Sequence, residues 1–470
     1  MIQDLYSELP IWMQNIAVSS YGRYLRRMRY AGRFSECLEQ LGGFPWRSEE
    51  QLEEIESRKL QTLIRHSYEN VPYYRELFDS HGIRPDSIQE RSDLKRIPPL
   101  EKESIRRNPD QFLSKTANRR DLHVAYTSGS TGTPLKLFQS REIIHWMYAC
   151  HSVVRKWAGL PRNPRRATFG GRLIVPKSQS KPPFWRWNSA EHQLLFSSYH
   201  LSAENLSFYA RRLHEFQPLE IVGYPSAIYL VARYLVENGI TNIRPTAVLT
   251  NSETLFASQR EIIEKAFACS VYDWYSSEEF VFFAAQCEQA NAYHVFPSIG
   301  ILEIAEPMSQ TAGGPGEIVG TTLINNAMPL IRYRMGDVGV PVPAGSQCRC
   351  GRQTHLLRMP LGRTDDYVIA EDGSPVGRLD HVFKGLPHVV ESQIIQEERG
   401  SIRVLIHPAG SFNKEDENIL ATRLRERLGN LAVTVERVLE IPKTSQGKLR
   451  SVVSKISREG TNWIDQSKKM

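Results

Sequence analysis

Between residues 220 and 267 the chain alternates short apolar extended runs with amphipathic helical ones, and few folds accept that pattern. Ile221, Val222 and Gly223 form the first apolar run; Tyr224 follows, then Pro225, which suits a first helical turn, and helical spacing continues through Leu235. Ala247 to Thr250 repeats the apolar run, the polar residues Asn251, Ser252, Glu253 and Thr254 break it, and a helix is expected from about Ser258 to Phe267. Strand, helix, strand, helix predicts layered α/β architecture with mainly parallel pairing. In such sheets ligands bind at the carboxyl ends of the strands, where these polar loops fall.

Upstream lies the densest local signal. Tyr126 is followed by Thr127, Ser128, Gly129, Ser130, Thr131, Gly132, Thr133 and Pro134, between strand-like residues Leu122, Val124 and Tyr126 on one side and 135–138 on the other. Glycine allows the tight turn, and N–H groups with hydroxyls hold a polyphosphate without a cation. An ordinary polar hairpin turn explains the same composition equally well. Two phosphate signatures are excluded. Gly132 is followed by Thr133 and Pro134, not by the Lys of a Walker loop, and the run Gly314 to Gly320 has the wrong final spacing for a dinucleotide fingerprint.

At 470 residues the chain is expected to form two domains or more, and 41% hydrophobic with 24% charged residues describes a globular protein. The net charge of +7 gathers in clusters at 23–29 and 162–166, read as solvated faces because no nucleic-acid-binding motif accompanies them. Residues 1–4 lack a basic leader and the apolar stretch 227–235 is interrupted by Arg233, so a cytoplasmic protein without a membrane span is expected. Six cysteines in so long a chain do not suggest a disulfide framework.

Residues 127–134 resemble the Thr-Ser-Gly-Ser/Thr-Thr-Gly-x-Pro loop of the adenylate-forming superfamily, which contains acyl-CoA synthetases, luciferases and peptide-synthetase adenylation domains. Further segments resemble that superfamily in its order: Asp273 to Glu279, Tyr333-Arg334-Met335-Gly336-Asp337, Gly362-Arg363-Thr364-Asp365-Asp366, and Ile441 to Arg450. The wording of residues 70–78 and 93–106 is similar to the phenylacetate-CoA ligase and CapK-like branch. The resemblance implies a large multi-subdomain N-terminal domain of layered sheets and helices over 1–361, with a mostly helical cap at 1–115. A small mobile α+β C-terminal domain follows over 362–470, turning about Asp365.

Roles follow from the same resemblance. Thr127 to Gly132, Ser252, Glu253, Thr254, Ser276 and Arg363 would hold ATP or AMP. Tyr275 would stack on adenine, Asp337 would accept both ribose hydroxyls, and Glu279 would hold Mg²⁺, for which a hard oxygen ligand is suited. Lys448 would neutralise charge on the carboxylate and α-phosphate during adenylation. Arg172 and Tyr224 are candidates for the substrate pocket, with a solvent-facing Arg172 equally open. Aromatic residues Trp146, Tyr148 and Trp157 on a helix at 142–157 are read as core. Ser276 and Glu278 depart from the superfamily's glycine and threonine.

Cys287, His294, Cys348 and Cys350 offer three thiols and an imidazole, the ligands of closed tetrahedral zinc sites; buried free thiols are equally open on chemistry alone. Similar segments in phenylacetate-CoA ligase relatives imply structural zinc. Cys37, Cys150 and Cys269 are expected to be plain thiols. The activity expected is ATP-dependent activation of a carboxylic acid as acyl-AMP, then transfer to coenzyme A or to an amine or hydroxyl, in polysaccharide or secondary-metabolite biosynthesis. The acceptor stays open because the Lys-x-x-Gly pattern common in CoA ligases is missing after Asp366. The partners expected are a small-molecule carboxylate and the acceptor, with no nucleic acid, in a monomer or homodimer. The alternative is a degenerate nucleotide-binding or scaffold protein of the same fold.

Overall fold

The computed structural model describes residues 2–126, 135–289, 292–307, 314–343, 345–363, 368–371, 375–376, 379–383, 386, 388–408, 410, 412–444 and 448–456. Helices dominate the first part of the chain: Ile2–Glu8, Ile11–Tyr30, Phe34–Gly43, Glu49–Asn70, Pro72–Ser80 and Lys102–Arg107. Ser48 and Gln51 form a capping box that starts the fourth of these, which buries Leu52, Leu60, Leu63 and Ile64. Between this helix and the next only Val71 is extended, at φ −113° and ψ 115°, because the following residue is proline. Pro72 then opens a new helix at a position where its missing N–H costs nothing.

Twelve strands form one mixed sheet. Its parallel part runs, in spatial order, Gln193–Ser197, Arg166–Gly170, Glu220–Gly223, Ala247–Thr250 and Val271–Tyr275, with Trp185–Asn188 antiparallel at the edge. Val271–Tyr275 also pairs antiparallel with Ala284–Gln286 and so carries the sheet into an antiparallel part. That part continues through Tyr293–Val295, Leu356–Arg363, Tyr333–Pro341, Gly316–Thr322 and Gly300–Pro307. The alternation seen in the sequence is realised with Pro225–Glu237 and Ala257–Phe267 as the intervening helices.

From Arg166–Gly170 the chain moves to Gln193–Ser197 on one side and returns to Glu220–Gly223 on the other. A crevice opens outside the carboxyl ends at such a reversal. Gly223 makes the turn there possible. Its φ is +152°, a Cβ would lie 1.8 Å from the carbonyl oxygen of Phe169, and the next N–H, that of Tyr224, bonds the same oxygen at 2.8 Å. At the opposite ends of these strands, fully buried Glu220 bonds Arg155 and Arg166 at 3.0 Å each. Arg166 also reaches Glu191 at 3.2 Å, and Arg29 joins the cluster through Glu191 at 3.3 Å.

Residues 368–452 have a core of their own, built from Val368, Ile394, Val404, Leu420, Leu424 and Val452 among others. A four-stranded sheet orders Ala432–Arg437, Ser401–Pro408, Val389–Gln396 and Val452–Ser454 side by side. Helix Lys414–Leu428 begins with a capping box between Asn413 and Asp416. Strand Ala432–Arg437 ends where its last ladder bond runs from Val438 N–H to Ile406 and its partner strand stops at Pro408.

Candidate active site

The crevice at the carboxyl ends gathers residues from both parts of the chain. Lys443 and Leu449 form an antiparallel bridge, and Lys448 N–H donates to Thr444 Oγ1 at 3.0 Å. Lys448 lies over the ring of Tyr224, with Nζ 6.0 Å from its centroid. Beside it, Glu253 accepts the N–H of Ser226 at 3.2 Å, in the first turn of Pro225–Glu237, and the N–H of Leu449 at 2.9 Å. Burial raises the carboxyl of Glu253 above its ordinary value in spite of these donors. Burial, with Glu253 adding to it, pushes the Tyr224 phenol up to about 12, so it remains a neutral hydrogen-bonding group.

A second group of polar side chains spans the junction between the parallel and antiparallel parts of the sheet. Tyr275, at the end of its strand, donates its hydroxyl to Asp337 Oδ2 at 2.5 Å. Buried Glu279 accepts the Tyr333 hydroxyl at 2.7 Å through Oε1. The two bonds tie the segment after Val271–Tyr275 to the strand Tyr333–Pro341 twice over. Glu279 retains oxygen lone pairs beyond this bond, and that hard donor fits a magnesium ion. Ser276 turns its hydroxyl to the carbonyl of Phe282 at 3.3 Å, and Gln139 clasps the carbonyl of Glu278 at 2.7 Å. The departures from the superfamily pattern are therefore accommodated by local hydrogen bonds; the Glu278 carboxyl is raised by partial burial and by Glu279, against the charges of His123 and Lys448 nearby.

Beneath this layer Asp273 accepts hydroxyls from Thr250 at 2.5 Å and from Tyr293 at 2.6 Å, linking three strands. Burial pushes its carboxyl up to about 6 against those two bonds. Sequence reading assigned no role to Thr250, Tyr293 or Tyr333.

Cys287, His294, Cys348 and Cys350 converge, with their ligand atoms all within 4.8 Å of one another. Cys287 Sγ and Cys348 Sγ are 3.6 Å apart, and Cys350 Sγ is 3.4 Å from His294 Nε2. A tetrahedron with zinc–ligand bonds of about 2.3 Å to sulfur and about 2.0 Å to nitrogen has edges of roughly 3.8 and 3.5 Å. The set therefore fits zinc, and Cys350, Cys348, Cys287 and His294 would hold it. The surroundings match as well. His294 Nδ1 contacts Thr354 Oγ1 at 2.7 Å, which leaves Nε2 for a metal, and the Gln289 N–H points at Cys287 Sγ at 3.4 Å. Burial would raise the Cys350 thiol, but the Arg352 N–H and guanidinium outweigh it and hold it below the ordinary thiol range. Arg352 in turn stacks 4.4 Å over Trp157 and pairs with Glu288 at 2.9 Å.

Among the remaining candidates, Arg172 is exposed just past the strand Arg166–Gly170, and Ser252 is exposed with a left-handed φ of 70°. Thr254 is half-buried beside it. Arg363 closes its strand opposite Asp337 in the backbone register. The loop Thr127 to Pro134 and the hinge candidate Asp365 lie outside the described residues, although Leu122–Tyr126 and Lys136–Ser140 do form an antiparallel pair around that loop. Trp146 is buried in the core with Tyr148 and Trp157 packed against it, as read from the sequence. Cys37 and Cys150 are buried free thiols and Cys269 is half-buried and free.

Residues 368–455 match the family model of the CapK C-terminal domain. Protein CapK of Staphylococcus aureus is 28% identical over 464 residues, which covers 97% of this chain and 100% of that protein. A phenylacetate-coenzyme A ligase of Escherichia coli is 24% identical over 420 residues, covering 86% of this chain and 90% of the other. Among solved structures, 2-hydroxyisobutyryl-CoA ligase in the postadenylation state with 2-HIB-AMP superposes with a TM-score of 0.66 at 18% identity, covering 89% of this chain and 92% of that one. The same ligase with 2-HIB-AMP and CoA in the thioesterification state gives 0.53 at 19% identity, covering 88% and 91%. The chain is thus similar along most of its length to CapK and to the phenylacetate-coenzyme A ligases, and its residues 368–455 match the CapK C-terminal domain.

Proposed function

We propose that the chain is an AMP-forming acid ligase. A carboxylate oxygen attacks the α-phosphorus of ATP, the bond to the β-phosphate oxygen breaks, and pyrophosphate leaves. An acceptor then attacks the acyl carbon and AMP departs. The observation that carries this reading is the placement of Lys448 over Tyr224 while the adjacent Leu449 N–H is held by Glu253. An ammonium group aimed into a crevice at the carboxyl ends of parallel strands is suited to charge that builds up during adenylation. Asp337 has the acceptor capacity for a ribose diol once Tyr275 turns its hydroxyl away, and Tyr275 offers a ring face for adenine. Magnesium held by Glu279 would supply charge neutralisation at the phosphates.

Greater likeness to the postadenylation than to the thioesterification state of 2-hydroxyisobutyryl-CoA ligase supports assigning the described arrangement to the first half-reaction. Coenzyme A is the acceptor that the phenylacetate-coenzyme A ligase relatives favour, with an amine or hydroxyl as the alternative. Resemblance to CapK-like proteins favours a product used in polysaccharide or related biosynthesis. ATP–pyrophosphate exchange measured across a panel of carboxylic acids tests the reading. At least one acid is expected to support exchange. Silence with every acid, while nucleotide still binds, would overturn it in favour of a non-catalytic nucleotide-binding protein.

A further inference from the structure

Helix Ile11–Tyr30 is docked with its polar side inward. Gln14, only 2% exposed, accepts Arg186 Nε at 2.6 Å; Asn15 accepts the N–H of Trp187 at 2.9 Å; Ser19 accepts that of Ser189 at 3.1 Å. Gly22 lies so close to Asn188 that a Cβ would meet its side chain at 2.2 Å. This polar side covers Trp185–Asn188, the edge strand of the large sheet, whose unpaired backbone groups would otherwise invite pairing with another chain.

The exposed side of the same helix is apolar and basic. Trp12 is 62% exposed, Ile16 57% and Tyr24 56%. Arg23 and Arg27 follow Trp12 at offsets that return to the same face, and neither makes an ion pair or hydrogen bond among the described residues. The helix carries four arginines and no acidic residue. Arg26 and Arg29 are spent inward, on the Ala190 carbonyl at 2.7 Å and on Glu191 at 3.3 Å.

We propose that this face seats the protein on an anionic phospholipid membrane, with Trp12 and Ile16 among the upper acyl chains and Arg23 and Arg27 at the phosphates. A helix lying in the interface needs this combination of bulky apolar residues with cations that reach the headgroups. It does not need to cross, and no helix among the described residues is long and apolar enough to do so. Charge selects the occupant. A second copy laid antiparallel would cover Trp12 and Ile16 with Arg23 and Arg27 and bury those cations without a counter-charge, whereas anionic lipid supplies one.

The test is flotation of the full chain with vesicles of phosphatidylcholine alone and of phosphatidylcholine mixed with phosphatidylglycerol. Binding to the mixed vesicles, release by high salt and no binding to the neutral ones are expected. Arg23→Gln with Arg27→Gln should weaken binding about 25-fold, taking about fivefold per arginine at an anionic surface. Trp12→Ala with Ile16→Ala should abolish it, with melting temperature and pyrophosphate exchange unchanged because these side chains face away from the fold and the crevice. No binding to mixed vesicles at low salt, or equal binding by the variants, would overturn the proposal. So would a wild-type dimer that Trp12→Ala dissociates in a chain that ignores vesicles, since a second copy would then cover the face.

Discussion

Glu253 holds the backbone N–H of Leu449 at 2.9 Å with one carboxylate oxygen and that of Ser226 at 3.2 Å with the other. A single side chain thus fastens the backbone beside Lys448 to the start of the helix at the crevice. Glu253→Ala removes both bonds. Hydrogen bonds to a charged group contribute about 1.5–3 kcal/mol, so pyrophosphate exchange should fall roughly 10- to 100-fold, while transfer from a supplied acyl-adenylate is much less affected. Glu253→Gln keeps one acceptor oxygen and should lie between the two. Equal loss in both half-reactions would refute the latch.

Lys448→Ala removes the ammonium but leaves the Leu449 N–H in place. Loss of one aimed charge in a dry site costs about 3 kcal/mol, or roughly 10² in the rate of adenylation. Transfer from preformed acyl-adenylate should survive. Single-turnover measurement of each half-reaction separates this outcome from general damage.

Elemental analysis of untagged protein should find about one zinc per chain, the number that a closed four-ligand site holds. Cys348→Ser is expected to lose the metal and to lower the melting temperature by several degrees, because binding to a preformed site adds to folding stability. Cys269→Ser, altering a thiol outside the cluster, should do neither. Metal-free wild-type protein of full stability would remove the assignment.

Burial raises the Asp273 carboxyl from an ordinary 3.8 to about 6, so the folded state holds its proton where the unfolded chain releases it. Its contribution is greatest below the ordinary value and declines as pH rises through about 6. Asp273→Asn cannot titrate. The melting temperature of wild type relative to this variant should therefore fall between pH 4 and 6 and then level off. A difference independent of pH would mean that Asp273 is ionised throughout.

Local chemistry made much of this legible. The alternation at 221–267 and Pro225 at a helix start each depend on neighbours in the chain, and each appears where expected. Cysteine and histidine chemistry likewise pointed to a cluster that folding assembles from two distant segments. Contacts set by tertiary placement were not legible. Glu253 and Leu449 are 196 residues apart, and their meeting depends on how the C-terminal domain docks. The basic stretch at 23–29 read as solvated surface, because its composition does not reveal that Gln14, Ser19 and Gly22 would be chosen for burial against an edge strand.

Glu220 and Tyr224 stand at opposite ends of one short strand, and different rules of replacement apply to them. At the amino end, removing one member of the charge cluster strands its partners in a dry interior at a cost of about 3–5 kcal/mol, yet exchanging the whole cluster for apolar residues of equal volume is often neutral or gains about 1–4 kcal/mol. Coordinated change is tolerated there and piecemeal change is not. At the carboxyl end, single substitutions reshape the crevice while the strand keeps its supports. Drift toward a new acid can therefore proceed one residue at a time along one rim of the sheet, while thermal hardening of the opposite rim requires several changes made together.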